Sequence, residues 1–142
     1  MDAWRRMWLP WLETVFFSPY ITMSYVDGFV LCVPKNKVKA YKKMATEGYK
    51  TWTKFGAIDY KECMIDDATP EHVAFTFAKM AKAKDDEVVF FSYIVYKNRK
   101  QRDAVNKKVM AYFDKKYKGK EQDMPFDMKR FAMAGFKTVV GK

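Results

Sequence analysis

The apolar pattern predicts an α+β domain built on four antiparallel strands, and three observations lead there. Two stretches, "YVDGFVLCV" (residues 25–33) and "EVVFFSYIVY" (87–96), are rich in β-branched and aromatic residues and apolar on both strand faces. After each comes a run in which apolar residues recur every three or four positions among lysines, the mark of a helix packed on one side. After each helix comes a further strand-like stretch, so the order is β-α-β-β-α-β. With right-handed crossovers, two such units interleave into a ferredoxin-like sheet ordered 4-1-3-2. That order puts the two doubly apolar strands in the centre.

Residues 1–22, "MDAWRRMWLPWLETVFFSPYIT", stand apart in composition, with tryptophans at 4, 8 and 11, prolines at 10 and 19, and no lysine. Pro10 and Glu13 break what would be the apolar core of a signal peptide, and no small-residue cleavage site follows. The segment reads as an extension outside the domain, as an upstream start codon would produce, with one domain over 23–142. The first strand is followed by Pro34–Phe55, where Val38, Tyr41, Ala45, Gly48, Trp52 and Phe55 form a helical stripe and Gly56 a C-cap. Ala57–Asp67 reads as an edge strand: Asp59, Lys61 and Cys63 share one face, Tyr60, Glu62 and Met64 the other. Ala68–Lys84 reads as a loop with a short helical piece. The strand Glu87–Tyr96 follows, and Asn98 with Gln101 resembles a capping box. It opens a helix with Val105, Val109, Tyr112 and Phe113 inside, ending near Gly119. Lys129–Val140 is the last strand, interrupted by Gly135.

Both helices pack on one face, so the second apolar face of the central strands needs a cover. Two large side chains such as Phe29 and Phe90 left in water cost about 1.5–3 kcal/mol each. The simplest cover is the same face of a second copy, which makes a homodimer through the sheet faces, an eight-stranded dimeric α/β barrel.

Composition narrows the partners. The 142 residues suit one domain that buries roughly two-thirds of its unfolded surface. No apolar run approaches the ~18–20 residues of a membrane span. Cys32 and Cys63 lack metal-ligand spacing and read as two buried, unbridged thiols in a cytoplasmic protein. They lie two strands apart, farther than a disulfide reaches. Residues 1–22 sum to zero charge, so the net +10 lies wholly after them. Among those later cations only Arg99, Arg102 and Arg130 are arginines. Lysine gives a solvated surface and a diffuse field, whereas phosphate and base recognition favours the arginine fork, so a nucleic-acid partner is disfavoured.

Three stretches, "YVDGFVLCVPKNKVKAYKKMA", "VVFFSYIVYKNRKQRDAVNKKVM" and "MPFDMKRFAMAGF", together resemble the YbaA-like family of bacterial proteins, a domain of unknown function placed among dimeric α/β barrels. The resemblance runs from about Met23 to Val140. It implies the ferredoxin-like fold and the dimer, and no established activity; some relatives carry an RNA-related label. The sequence departs from the family's usual pattern at Met128 (glycine), Tyr93 (tryptophan) and Glu71-His72 (Asp-Gly).

The candidate ligand-pocket residues are Tyr25, Asp27, Tyr93, Asp127, Lys129 and Arg130. Asp27 points the same way as Tyr25, Phe29 and Leu31, and a carboxylate on an apolar face must be paired or hydrogen-bonded. Arg130 or Lys129 is the expected partner, since the fourth strand neighbours the first. Asp127, Lys129 and Arg130 sit in a proline turn, where they suit an anionic ligand or a self-paired turn. Tyr25, Tyr60, Tyr93 and Tyr96 suit a pocket wall, as in cofactor-free oxygenases of that superfamily, or plain core. His72 is the lone histidine, and no cluster has metal-ligand spacing. No G-x-S-x-G, G-x-G-x-x-G or P-loop is present, so no cofactor is expected. The lysine runs fall on helical faces that default to solvation. The sequence thus points to a homodimer holding a small apolar or aromatic metabolite; the alternatives are a cofactor-independent monooxygenase- or isomerase-type enzyme and a weak RNA-binding accessory protein.

Overall fold

In the computed structural model, which describes residues 23–141, both doubly apolar stretches form ten-residue strands, β1 (Tyr25–Pro34) and β3 (Glu87–Tyr96). They pair antiparallel along their whole length, from Tyr25↔Tyr96 to Pro34↔Glu87. β2 (Asp59–Met64) lies outside β3 and β4 (Ala132–Lys137) outside β1, giving the order β2-β3-β1-β4 with every neighbour antiparallel. This is the expected order.

The period of three to four becomes α1 (Val38–Lys54), which buries Tyr41, Ala45, Gly48 and also Thr51. A left-handed Gly56, φ 115°, turns the chain out of it, a conformation glycine adopts without Cβ strain. Between β2 and β3 the only helix is the single turn α2 (Phe77–Met80), capped by Thr76. The second long helix, α3 (Arg99–Lys116), starts where the Asn98 side chain accepts the Gln101 amide at 2.8 Å. The Gln101 side chain does not complete the box; it accepts from the Lys97 amide instead.

Strand parity decides which side is core. Leu31, Val33 and Phe90 meet Tyr41 and Ala45 of α1, while Ile94 and Tyr96 meet Val105 and Val109 of α3. Phe126 and Phe131, from the segment before β4, stack with centroids 5.6 Å apart and close one end of this core.

The last strand is shorter than the expected 129–140. Asp127 accepts the Lys129 amide at 2.9 Å and winds Met128–Arg130 into one 3-10 turn ahead of it. Gly135 does not interrupt β4. It makes room for the Tyr25 phenol, since a Cβ there would meet ring carbons at 2.8–2.9 Å.

The opposite face is covered in part by the chain itself. Cys32 and Val89 are 2% and 4% exposed beneath the segment after β2; the Cys32 thiol donates to the Ala81 carbonyl at 3.6 Å, and Phe77 packs edge-on to Phe91 at 6.0 Å. Beyond that cover, Phe91 stays 44% and Phe136 57% exposed. Both cysteines are free, but only Cys32 is buried. Cys63 is exposed because edge strand β2 turns it to the side the helices leave open.

Candidate functional site

The inner face of the sheet carries two polar clusters, and α3 builds the first. Asp27 is 1% exposed, and its Oδ2 accepts from Asn106 Nδ2 at 3.3 Å. Arg102, one helical turn before Asn106, places Nε 3.7 Å from Asp27 Oδ1 and donates from Nη2 to the Tyr25 hydroxyl at 3.1 Å. The Asn106 carbonyl accepts from both the Trp52 indole and the Tyr96 hydroxyl at 2.9 Å, so one amide ties α1, α3, β1 and β3 together. Neither Asp27 Oδ1 nor Arg102 Nε has a hydrogen-bond partner among the described residues. The pair is attractive but not in contact.

The second cluster centres on Glu62 of β2. Its Oε1 accepts the Tyr60 hydroxyl at 2.8 Å; its Oε2 accepts the Tyr41 hydroxyl at 2.7 Å and also the Ser92 hydroxyl. Burial first, then the nearby carboxylate, pushes both phenols well above the usual tyrosine value, so they remain donors. Gly48 permits this geometry: a Cβ there would stand 2.8 Å from the Tyr60 hydroxyl.

Glu62 forms part of the wall of a cleft of about 480 Å³ between α1 and β2, along with Tyr41, Ala45, Tyr49, Tyr60 and Phe90. Lys42, Thr46, Lys61 and Met64 complete its lining. That volume is within the ~300–1,000 Å³ usual for small-molecule sites. A second hollow of about 290 Å³ lies under residues 65–77 on the other face, mostly apolar and walled by Val73, Phe75, Phe77 and Phe91.

A model of the family described as "Protein of unknown function (DUF1428)" matches residues 24–128. The chain belongs to the DUF1428 family. It is 39% identical over 118 residues to "Uncharacterized protein YbaA" of Escherichia coli strain K12, covering 83% of this chain and 98% of that protein. The same figures hold for the YbaA of Shigella flexneri. Among solved structures it is similar to the de novo designed protein Foldit4, at TM-score 0.42 and 11% identity over 83% of this chain and 99% of that one.

In this DUF1428 chain the six residues singled out by sequence fall into three separate places. Tyr25 and Asp27 join through Arg102. Tyr93 lies opposite Gly28 on the face away from the helices. Asp127, Lys129 and Arg130 form a self-paired turn: Arg130 donates twice to Glu87 at 2.7 Å and once to Asp127 at 3.0 Å. The expected pairing of Asp27 with Arg130 or Lys129 does not form; Arg102 takes that place. None of the six lines either hollow.

The residues that line and hold the cleft, Glu62, Tyr41 and Ser92, were not singled out from the sequence. One signal was available. Glu62 shares a strand face with Tyr60 and Met64, which made it a charge on a face with apolar company, as Asp27 is.

Proposed function

We propose that this is a cytoplasmic homodimer of ferredoxin-like domains that binds a small molecule with an apolar or aromatic body in the cleft between α1 and β2. The observation that carries it is the Glu62 cluster. A carboxylate held by three hydroxyls at the wall of a cleft rich in aromatic residues is a preorganised polar anchor, the arrangement that orients ligands. The dimer is supported by Phe91 and Phe136, which stand exposed on the face away from the helices, where a second copy can bury them. Two free thiols accord with a reducing compartment. Among the described residues no helix is long and apolar enough to cross a membrane. Residues 1–22 fall outside the proposed domain, whose family match begins at residue 24.

One observation favours an isomerase-type enzyme as the second reading. A carboxylate at the cleft wall can take a proton from one substrate atom and return it to another, while the Tyr41 and Tyr60 hydroxyls hold it in place.

Thr46 is exposed and lines the cleft, so Thr46→Trp obstructs it from the solvent side. Native mass spectrometry and saturation-transfer NMR with small aromatic compounds should show binding to the wild type and loss in the variant at unchanged melting temperature. Equal binding by both, or none to the wild type, removes the cleft as the site.

A further inference from the structure

Glu62 differs from the other carboxylates that the fold draws inward. Asp27 faces Arg102, Glu87 holds Arg130 and Glu47 holds Lys116, whereas no ion pair among the described residues involves Glu62. In a chain with net charge +10, three neutral hydroxyls hold this charge instead. Lys61 lines the same cleft, yet its ammonium is paired with Asp59 on the other face of β2; Lys42 lies exposed at the rim.

An ionised carboxylate offers about four acceptor sites. Tyr41, Tyr60 and Ser92 occupy three, so about one is left for an N–H, and among the described residues no cation pairs with the carboxylate. The walls suit the same guest. Tyr49 is half exposed and meets Tyr60 edge-on at 5.9 Å, which sets aromatic rings beside the carboxylate. Their faces attract cations. An anionic guest would bring like charge beside Glu62 in a partly desolvated cleft.

We infer that the ligand of this cleft is a primary or secondary amine, cationic at neutral pH, with an apolar or aromatic body and its ammonium N–H on Glu62. This rests on the cleft being the binding site, as proposed above. The Glu62–ammonium contact supplies orientation and charge selection; Tyr49 and Tyr60 flank the body.

The test is a charge series on one scaffold: 2-phenylethylamine, 2-phenylethanol and 3-phenylpropanoate, titrated into the full chain by calorimetry at low salt. The alcohol also donates to the carboxylate, but the ammonium adds ion-pair attraction in a partly desolvated cleft, which predicts about tenfold tighter binding of the amine. The carboxylate should bind weakest. Glu62→Gln should abolish the amine's advantage while the alcohol still binds. Equal affinity of amine and alcohol, or a carboxylate that binds best, overturns the amine inference and leaves the cleft standing. Failure of all three at millimolar concentration overturns both. Because the wild-type ranking decides by itself, the result does not depend on Glu62→Gln folding; a folded Glu62→Gln that keeps the preference also overturns the inference.

Discussion

Replacing Arg102 with leucine tests whether the Asp27–Arg102 pair holds α3 to the sheet. Asp27 is 1% exposed, Arg102 is the cation that faces it among the described residues, and the hydrogen bond it accepts from Asn106 is long at 3.3 Å. Removing one member of a buried pair costs about 3–5 kcal/mol, because the remaining charge is left without compensation. Here the ions stand 3.7 Å apart and the Arg102 side chain is 18% exposed, which favours the lower end, about 3 kcal/mol. For a domain of this size that lowers the melting temperature by roughly 12 °C.

The matching variant is Asp27→Asn, which keeps shape and removes charge. In the double variant most of the Arg102→Leu penalty should vanish, since no buried carboxylate is left to compensate, giving a coupling of about 2 kcal/mol in urea-unfolding cycles. Arg102→Leu within about 1 kcal/mol of wild type, with no coupling to Asp27→Asn, would refute the pair as an energetic unit.

Three further outcomes are expected. Val30 faces away from the helices and Leu31 toward them, so sedimentation should find Val30→Asp folded but monomeric, and circular dichroism should find Leu31→Asp unfolded; a wild type monomeric at every concentration defeats the dimer. Hydrogen bonds from Arg130 hold the Glu87 carboxyl below its ordinary value of 4.5, so its contribution is complete above that pH and fades as pH falls through the lower folded-state value; urea titrations of wild type and Glu87→Gln should converge toward acid, and parallel curves would contradict this. In the monomeric Val30→Asp variant Cys63 should react at once with a thiol reagent and Cys32 only on unfolding, as exposure of one and burial of the other require.

Local pattern was enough for the strands and for their order. Apolar residues on both faces of 25–33 and 87–96 marked two central strands, since an edge or one-sided strand has no use for that pattern. Asn98 announced the start of α3, and parity alone told that Asp27 would lie among Tyr25, Phe29 and Leu31.

Partners across the fold were not local. Adjacency of β1 and β4 suggested Arg130 for Asp27, but Arg130 pairs with Glu87, which lies opposite Pro34 at the far end of β1. Seven residues of strand put those positions about 24 Å apart. Arg102 reaches Asp27 because α3 returns across the sheet over the Tyr25 end, a placement that the crossover sets and no spacing in the chain reveals. Glu62 is the same case. Its strand face was readable, but the side of the sheet it joins, and the hydroxyls of Tyr41 and Ser92 waiting there, come only from the pairing of β2 with β3 beneath α1. Periodicity within an element follows from backbone geometry over a few residues; which side chains meet follows from register and crossover, which the whole core determines together.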